Sequence, residues 1–225
     1  VCTNHFQGKS MVNSAQNIEQ LRESASAYRY QRLEQLLGRN GPNTVQKTVN
    51  ILRDQKGLND ADIGMGNEKA LNQLIAHHSI VFEPDKLLVW VSTAPWQLGE
   101  YVAYDLKKVF GLRGMKTNQE VAETNLNIAA DSFLLTPKFR QFEAFRVFKQ
   151  RIADGGDVNT DSLLATNPQF YNSYILAGDY QYKKGRWSKA AGIYQLGLTK
   201  EIATLKEKAH IQERIRLCNK KQSTQ

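Results

Sequence analysis

Apolar positions recur along this chain at two different spacings, and each change of period marks an element. The opening Val1-Cys2-Thr3-Asn4-His5-Phe6 favours an extended strand, which places Cys2, Asn4 and Phe6 on a buried face and Thr3 and His5 on the other. Gly8 to Ser14 reads as loop and Ala15 to Leu21 as a short polar helix. Over Ala25 to Leu37 the residues Tyr28, Leu33, Leu36 and Leu37 fall near one face of a helix that stops at Gly38 and the Asn40-Gly41-Pro42 breaker. Thr44 caps a helix over Val45 to Arg53 with Val45, Val49 and Leu52 as its apolar stripe. After a loop over Gly57 to Gly66, Leu74 to Phe82 and Leu87 to Ser92 read as a hairpin that turns at Glu83-Pro84-Asp85-Lys86. Such long apolar strands fit a sheet covered on both faces. Ala94 to Gly99 is loop, and Tyr101 to Phe110 is a strand or a helix. Beyond the polar stretch Gly111 to Asn118 the pattern turns helical, over Gln119 to Leu135 and again over Pro137 to Ala153, where Phe139, Phe142, Phe145 and Phe148 stand at three-residue steps. Lys220 to Gln225 is expected to fray.

Composition bounds these elements without naming a function. At 225 residues and 41% hydrophobic the chain suits one large or two small soluble domains, and the boundary is expected in the polar stretch, giving 1–112 and 113–225. No apolar run approaches the roughly 20 residues that span a bilayer. No basic, apolar leader opens the sequence, so any signal peptide would lie further upstream. The net charge of +8 divides into +1 for residues 1–112 and +7 for 113–225. Lysines and arginines spread over helices read as a solvated face rather than a nucleic-acid surface. Cys2 and Cys218 sit at opposite ends with no Cys-x-x-Cys partner, which argues against a disulfide framework or a zinc site. Ile63-Gly64-Met65-Gly66 lacks the strand-then-helix setting of a phosphate loop.

The chemistry worth weighing is in the first six residues. A buried asparagine is costly unless its amide finds partners, and carboxamide N–H groups also stabilise the oxyanion of acyl transfer. Thr3-Asn4-His5-Phe6, followed by the helix Ser26-Ala27-Tyr28-Arg29-Tyr30-Gln31-Arg32-Leu33-Glu34-Gln35-Leu36-Leu37 and the paired strands, resembles the isopenicillin N acyltransferase family of autoproteolytic N-terminal-nucleophile (Ntn) hydrolases. The resemblance covers about residues 1–110. It implies that Asn4 is an oxyanion-hole residue, and that the catalytic cysteine lies on an upstream part absent from this chain. Cys2 is a poor substitute, because the polar residues after Phe6 do not form the returning strand such a nucleophile needs; it is read as a small buried side chain. His5, Arg29 and His78 are the substrate-binding candidates. Arg29 and Arg32, neighbours on one helix, either face the substrate or hold the loop around the opening strand. His77 and His78 are expected on a strand, pointing to opposite faces, and no nearby Glu, Asp or Cys completes a metal set.

Near the other end, Tyr174-x-x-Ala177-Gly178 and Gly185-Arg186-Trp187-x-x-Ala190-x-x-x-Tyr194 resemble one tetratricopeptide (TPR) repeat, with Gln181 where the repeat usually has an aromatic. The chain is therefore expected to be α+β: the carboxyl-terminal part of an Ntn-hydrolase αββα sandwich (1–112), then an all-helical TPR-like extension (113–225). The expected function is amidase or acyltransferase chemistry on a small acyl amide or acyl thioester, with the upstream cysteine fragment as partner and no metal or organic cofactor. The rival class is a non-catalytic helical module that docks a protein partner.

Overall fold

A computed structural model describes residues 1–39, 41–114, 116 and 119–223. Three helices lead. Ala15–Glu23 (α1) starts where the Ser14 hydroxyl accepts the Asn17 N–H, and Val45–Leu52 (α3) starts where Thr44 accepts the Lys47 N–H. Ser26–Leu37 (α2) lies between them and stops at Gly38. The strands Ile80–Glu83 (β1), Leu88–Ser92 (β2) and Tyr101–Asp105 (β3) form an antiparallel sheet in sequential order. The register lines up Val81, Trp90 and Ala103, and these pack with Tyr101 and with Val49 of α3 in a small core. The other face carries Ile80 and Phe82, 45% and 61% exposed. One face of the sheet is thus covered and the other partly open, where its apolar strands predicted cover on both.

The helices that follow build the larger core. Leu106–Gly111 (α4) continues directly from β3, because the Asp105 side chain caps it by accepting the Lys107 N–H; the Tyr101 to Phe110 segment is both strand and helix. Pro137–Ala153 (α5) has the predicted bounds and buries Phe139, Phe142 and Phe145, with Phe148 partly buried beside them. Thr160–Thr166 (α6), Tyr171–Lys183 (α7), Trp187–Gly197 (α8) and Leu205–Gln222 (α9) complete the chain. Helices α7 and α8 pack as a hairpin, in which a Cβ on Gly178 would stand 2.5 Å from the Tyr194 ring and one on Gly197 would stand 2.9 Å from Tyr174. Met65, Leu74 and Leu98 belong to this same core, with Phe142, Phe170 and Tyr171. Contacts of the earlier and later halves therefore cross the expected 112/113 boundary, which falls in a stretch where 115, 117 and 118 lie outside the described residues. Among the described residues no helix is long and apolar enough to cross a membrane.

Four expectations about elements are corrected. Residues 1–6 form no strand, because a strand needs a neighbour and the backbone of Phe6 is instead bracketed by one side chain: Asn17 Oδ1 accepts its N–H and Asn17 Nδ2 donates to its carbonyl. The alternation survives with its faces exchanged, so that Thr3 and His5 turn inward and Cys2, Asn4 and Phe6 outward; Cys2 is exposed, not buried. The first strand of the hairpin begins at Ile80 rather than Leu74, since Asn72 Oδ1 accepts the Leu74 N–H and turns Leu74 into the left-handed region (φ 53°) and the helical core. Gln119 to Leu135 holds only the single turns Thr124–Leu126 and Ser132–Leu135. Its backbone is used elsewhere: Glu123 N–H donates to Ala103, and Ile128 pairs with Tyr101 at the edge of β3. At the end of the chain α9 holds its helix to Gln222 instead of fraying from Lys220; 224 and 225, like Asn40 of the breaker, lie outside the described residues.

The joint between the halves is testable at Gly64, which has φ +82° and whose added Cβ would lie 2.4 Å from the Phe170 backbone. Gly64→Ala should cost about 2–5 kcal/mol, from left-handed strain and overpacking together. Urea unfolding followed by circular dichroism measures it, and a loss below about 1 kcal/mol would mean that the two segments separate easily.

Candidate functional site

The two motifs singled out in the sequence meet in space. Helix α2 presents Ser26 and Arg29 one turn apart, and residues 3–5 lie across them. Thr3 Oγ1 and Ser26 Oγ stand 2.9 and 2.8 Å from His5 Nδ1 and 3.1 Å from each other, and the Thr3 hydroxyl donates to the Ser26 carbonyl. The edge of the His5 ring meets Tyr30 at 5.6 Å. These contacts orient the imidazole through one nitrogen; Nε2 makes no hydrogen bond among the described residues. His5 therefore acts here as a fixed part of the wall, with its second nitrogen available.

Arg29 does the same for Asn4. Its Nη2 donates to Asn4 Oδ1 at 2.7 Å and its Nη1 to the Glu68 carbonyl at 2.6 Å. A guanidinium only donates, so the carboxamide atom facing it must be the oxygen, and the Asn4 NH2 is turned away from Arg29. Among the described residues that NH2 has no hydrogen-bond partner, and Asn4 is exposed. Cys2 to Phe6, with Gln16, Asn17 and Gln20 of α1, line a cleft of about 580 Å³. The arrangement offers an oriented N–H donor at the rim of a polar cleft. Burial lowers the Arg29 guanidinium from its ordinary value, and the charge of Glu68 opposes that shift.

His78 is not part of this group. It lies in the irregular segment ahead of β1 with its side chain exposed, as does His77, because the chain leaves the strand pattern at Leu74. Neither histidine is on a strand. Arg32, the other arginine of the motif, is buried and turned away from the cleft residues: its Nε and Nη2 donate to the two oxygens of Asp54, its Nη2 also to Asp60, and its Nη1 to Gln35. Tyr28, Leu33, Leu36 and Leu37, the expected apolar face of α2, are only half-buried.

Glu68 is the participant that sequence reading missed. Its carbonyl holds Arg29, while its carboxyl and that of Glu207 both accept from the single hydroxyl of buried Tyr171. Burial pushes the Glu68 carboxyl above the usual range, its own backbone N–H opposes, and the nearby charge of Glu207 adds to the rise. Burial and the bond to Glu207 push the Tyr171 phenol far above its ordinary value. Nothing in the Asn67-Glu68-Lys69 triplet signals this, since Arg29 lies 39 residues away and Tyr171, which meets the carboxyl, 103.

Because the folded chain holds the Glu68 proton to higher pH than the unfolded chain, its contribution is fully present below the unfolded pKa of about 4.3 and is lost as pH rises through the folded value. Glu68→Gln removes this titration, so the variant should lose less stability than the wild type between roughly pH 4 and pH 8. Urea unfolding at both pH values checks it; equal losses in the two proteins would contradict the assignment. Comparison with family models, curated proteins and solved structures finds no match.

Proposed function

We propose that the chain is the carboxyl-terminal part of an Ntn-type amidase or acyltransferase, acting on a linear amide or an acyl thioester. The observation that carries this reading is the Asn4 carboxamide, held through its oxygen by Arg29 with its NH2 unpartnered among the described residues. In the reaction, a free amino-terminal cysteine on an upstream part attacks the substrate carbonyl and its own amine takes the thiol proton. Asn4 donates to the oxygen as it becomes negative, the leaving amine or thiol departs with the proton, and water or an amine then takes the acyl group. No step needs a cofactor.

Two further features support the reading. In an αββα sandwich a second sheet stacks on the first, and the partly open face with Ile80 and Phe82 has the apolar character such a contact requires. Phe6 on the cleft, and Val1 and Ile18 next in sequence to its lining residues, are also exposed, as expected of a surface that an upstream part covers. The α7–α8 hairpin is read as one TPR-like repeat, with Ala177, Gly178 and Ala190 at the close approach. Gln181 departs from the repeat pattern and is satisfied by Thr160 and Arg186.

The test uses intact, already cleaved protein. Asn4→Ala should lower the single-turnover rate about 100-fold or more, as loss of one oxyanion donor does, with little change in substrate affinity. Asn4→Asp should be worse, because it puts a like charge beside the developing oxyanion. The melting temperature should barely move, since Asn4 is exposed. A destabilised variant with unchanged rate per folded molecule would leave Asn4 a structural residue and remove the catalytic reading.

A further inference from the structure

A different cleft, of about 690 Å³, opens along α5 and the 66–75 segment. Leu74, Phe142, Phe145 and Phe170 line it, and Ile75 and Val147, 69% and 68% exposed, stand beside them. Phe142, Phe145, Arg146 and Lys149 fall at steps of three and four, so one stripe of α5 sets the margins of two buried rings beside exposed positive charge. The Arg146 guanidinium lies 4.6 Å over the Trp96 ring. Among the described residues neither Arg146 nor Lys149 has a hydrogen bond or ion pair to a protein acceptor, although Lys149 acts electrostatically on Glu68. Of the two carboxyl groups on the lining, Glu68 is occupied with Tyr171. Glu143 forms no ion pair with Arg146 despite the three-residue spacing that allows one.

We propose that this cleft binds a single-chain amphiphile ending in a carboxylate, with the tail on the aromatic floor and the head between Arg146 and Lys149. Its size lies within the range of small-molecule sites, about 300–1,000 Å³. Among the described residues neither cation is hydrogen-bonded to a protein acceptor, while Glu68, whose charge Lys149 feels, is hydrogen-bonded to Tyr171 instead, which favours an anionic head over a cationic one. The proposal stands apart from the Asn4 site and survives if that reading fails.

Isothermal titration of the full chain with decanoate, decylammonium and 1-decanol tests it. Decanoate should bind at least about tenfold tighter than either analogue, the scale of one charge-assisted hydrogen bond. Arg146→Gln and Lys149→Gln should each weaken decanoate about tenfold, with circular dichroism and melting temperature unchanged. Ile75→Asp, at an exposed position, should weaken it further. The proposal falls if decanoate does not bind, if decylammonium or decanol binds as well, or if the variants leave decanoate affinity unchanged. A dimer in sedimentation velocity that Ile75→Asp dissociates would assign the cleft to a second copy of the chain and overturn it too.

Discussion

Everything in the amino-terminal region leans on one buried ion pair. Arg32 is 1% exposed, and a guanidinium so placed is tolerable only because Asp54 grips it with both oxygens while Asp60 and Gln35 take further N–H groups. Losing one partner of such a pair costs about 3–5 kcal/mol, since it leaves a buried charge uncompensated. The pair fastens α2 to the end of α3 and to the 58–60 turn, where Arg39 and then Arg32 hold the Asp60 carboxyl down at about 2. Since α2 also carries Ser26 and Arg29, the positions of Thr3, Asn4 and His5 depend on it.

The long irregular stretches are kept in place by a related device. Backbone groups that enter a core without a helix or sheet ladder must find other partners, and here buried asparagine side chains supply them. Asn17 brackets Phe6 and also bonds the Val12 carbonyl. Asn67 ties Ile63 to Glu201, Asn72 reaches Trp96, and Asn167 both donates to and accepts from the Met65 backbone. Arg53 plays a similar part, donating to the Gly99 and Ala129 carbonyls and lying over the Tyr101 ring. A carboxamide offers one acceptor and two donors, so it can stand in for a neighbouring strand over one residue. It cannot continue along the chain, which is why 1–6 and 66–79 are ordered yet not strands.

The two clefts differ in kind, and the difference follows from what builds them. Around Asn4 the walls are hydroxyls, amides and an imidazole oriented by hydrogen bonds, a setting for directing polar atoms. Along α5 the walls are rings packed edge to face, Trp96 on Phe142 and Phe145 on Phe170, a setting for apolar surface with charge at its margin. Glu68 lines the α5 cleft and not the other, although its carbonyl accepts from the Arg29 that holds Asn4.

Periodicity alone determined the elements whose partners are local. The helices over 26–37, 45–52 and 137–153 were legible because the apolar spacing, the Thr44 cap of the second and the Gly38 stop of the first are local signals, and the hairpin turn at 84–86 was legible from its proline. The Thr-Asn-His and Ser-x-x-Arg motifs were also recognisable in the sequence, and they come into contact. What tertiary structure decided is every assignment that depends on a distant partner. It put Thr3 and His5 inward rather than Cys2 and Asn4, drew Leu74 out of the strand pattern, left His78 apart, and spent the 119–135 segment on the edge of β3 instead of a helix. It also brought Glu68 and Glu207 together on one tyrosine. A strand face, a buried charge and two carboxyls on one hydroxyl are properties of residues far apart in sequence, and no local pattern encodes the second member.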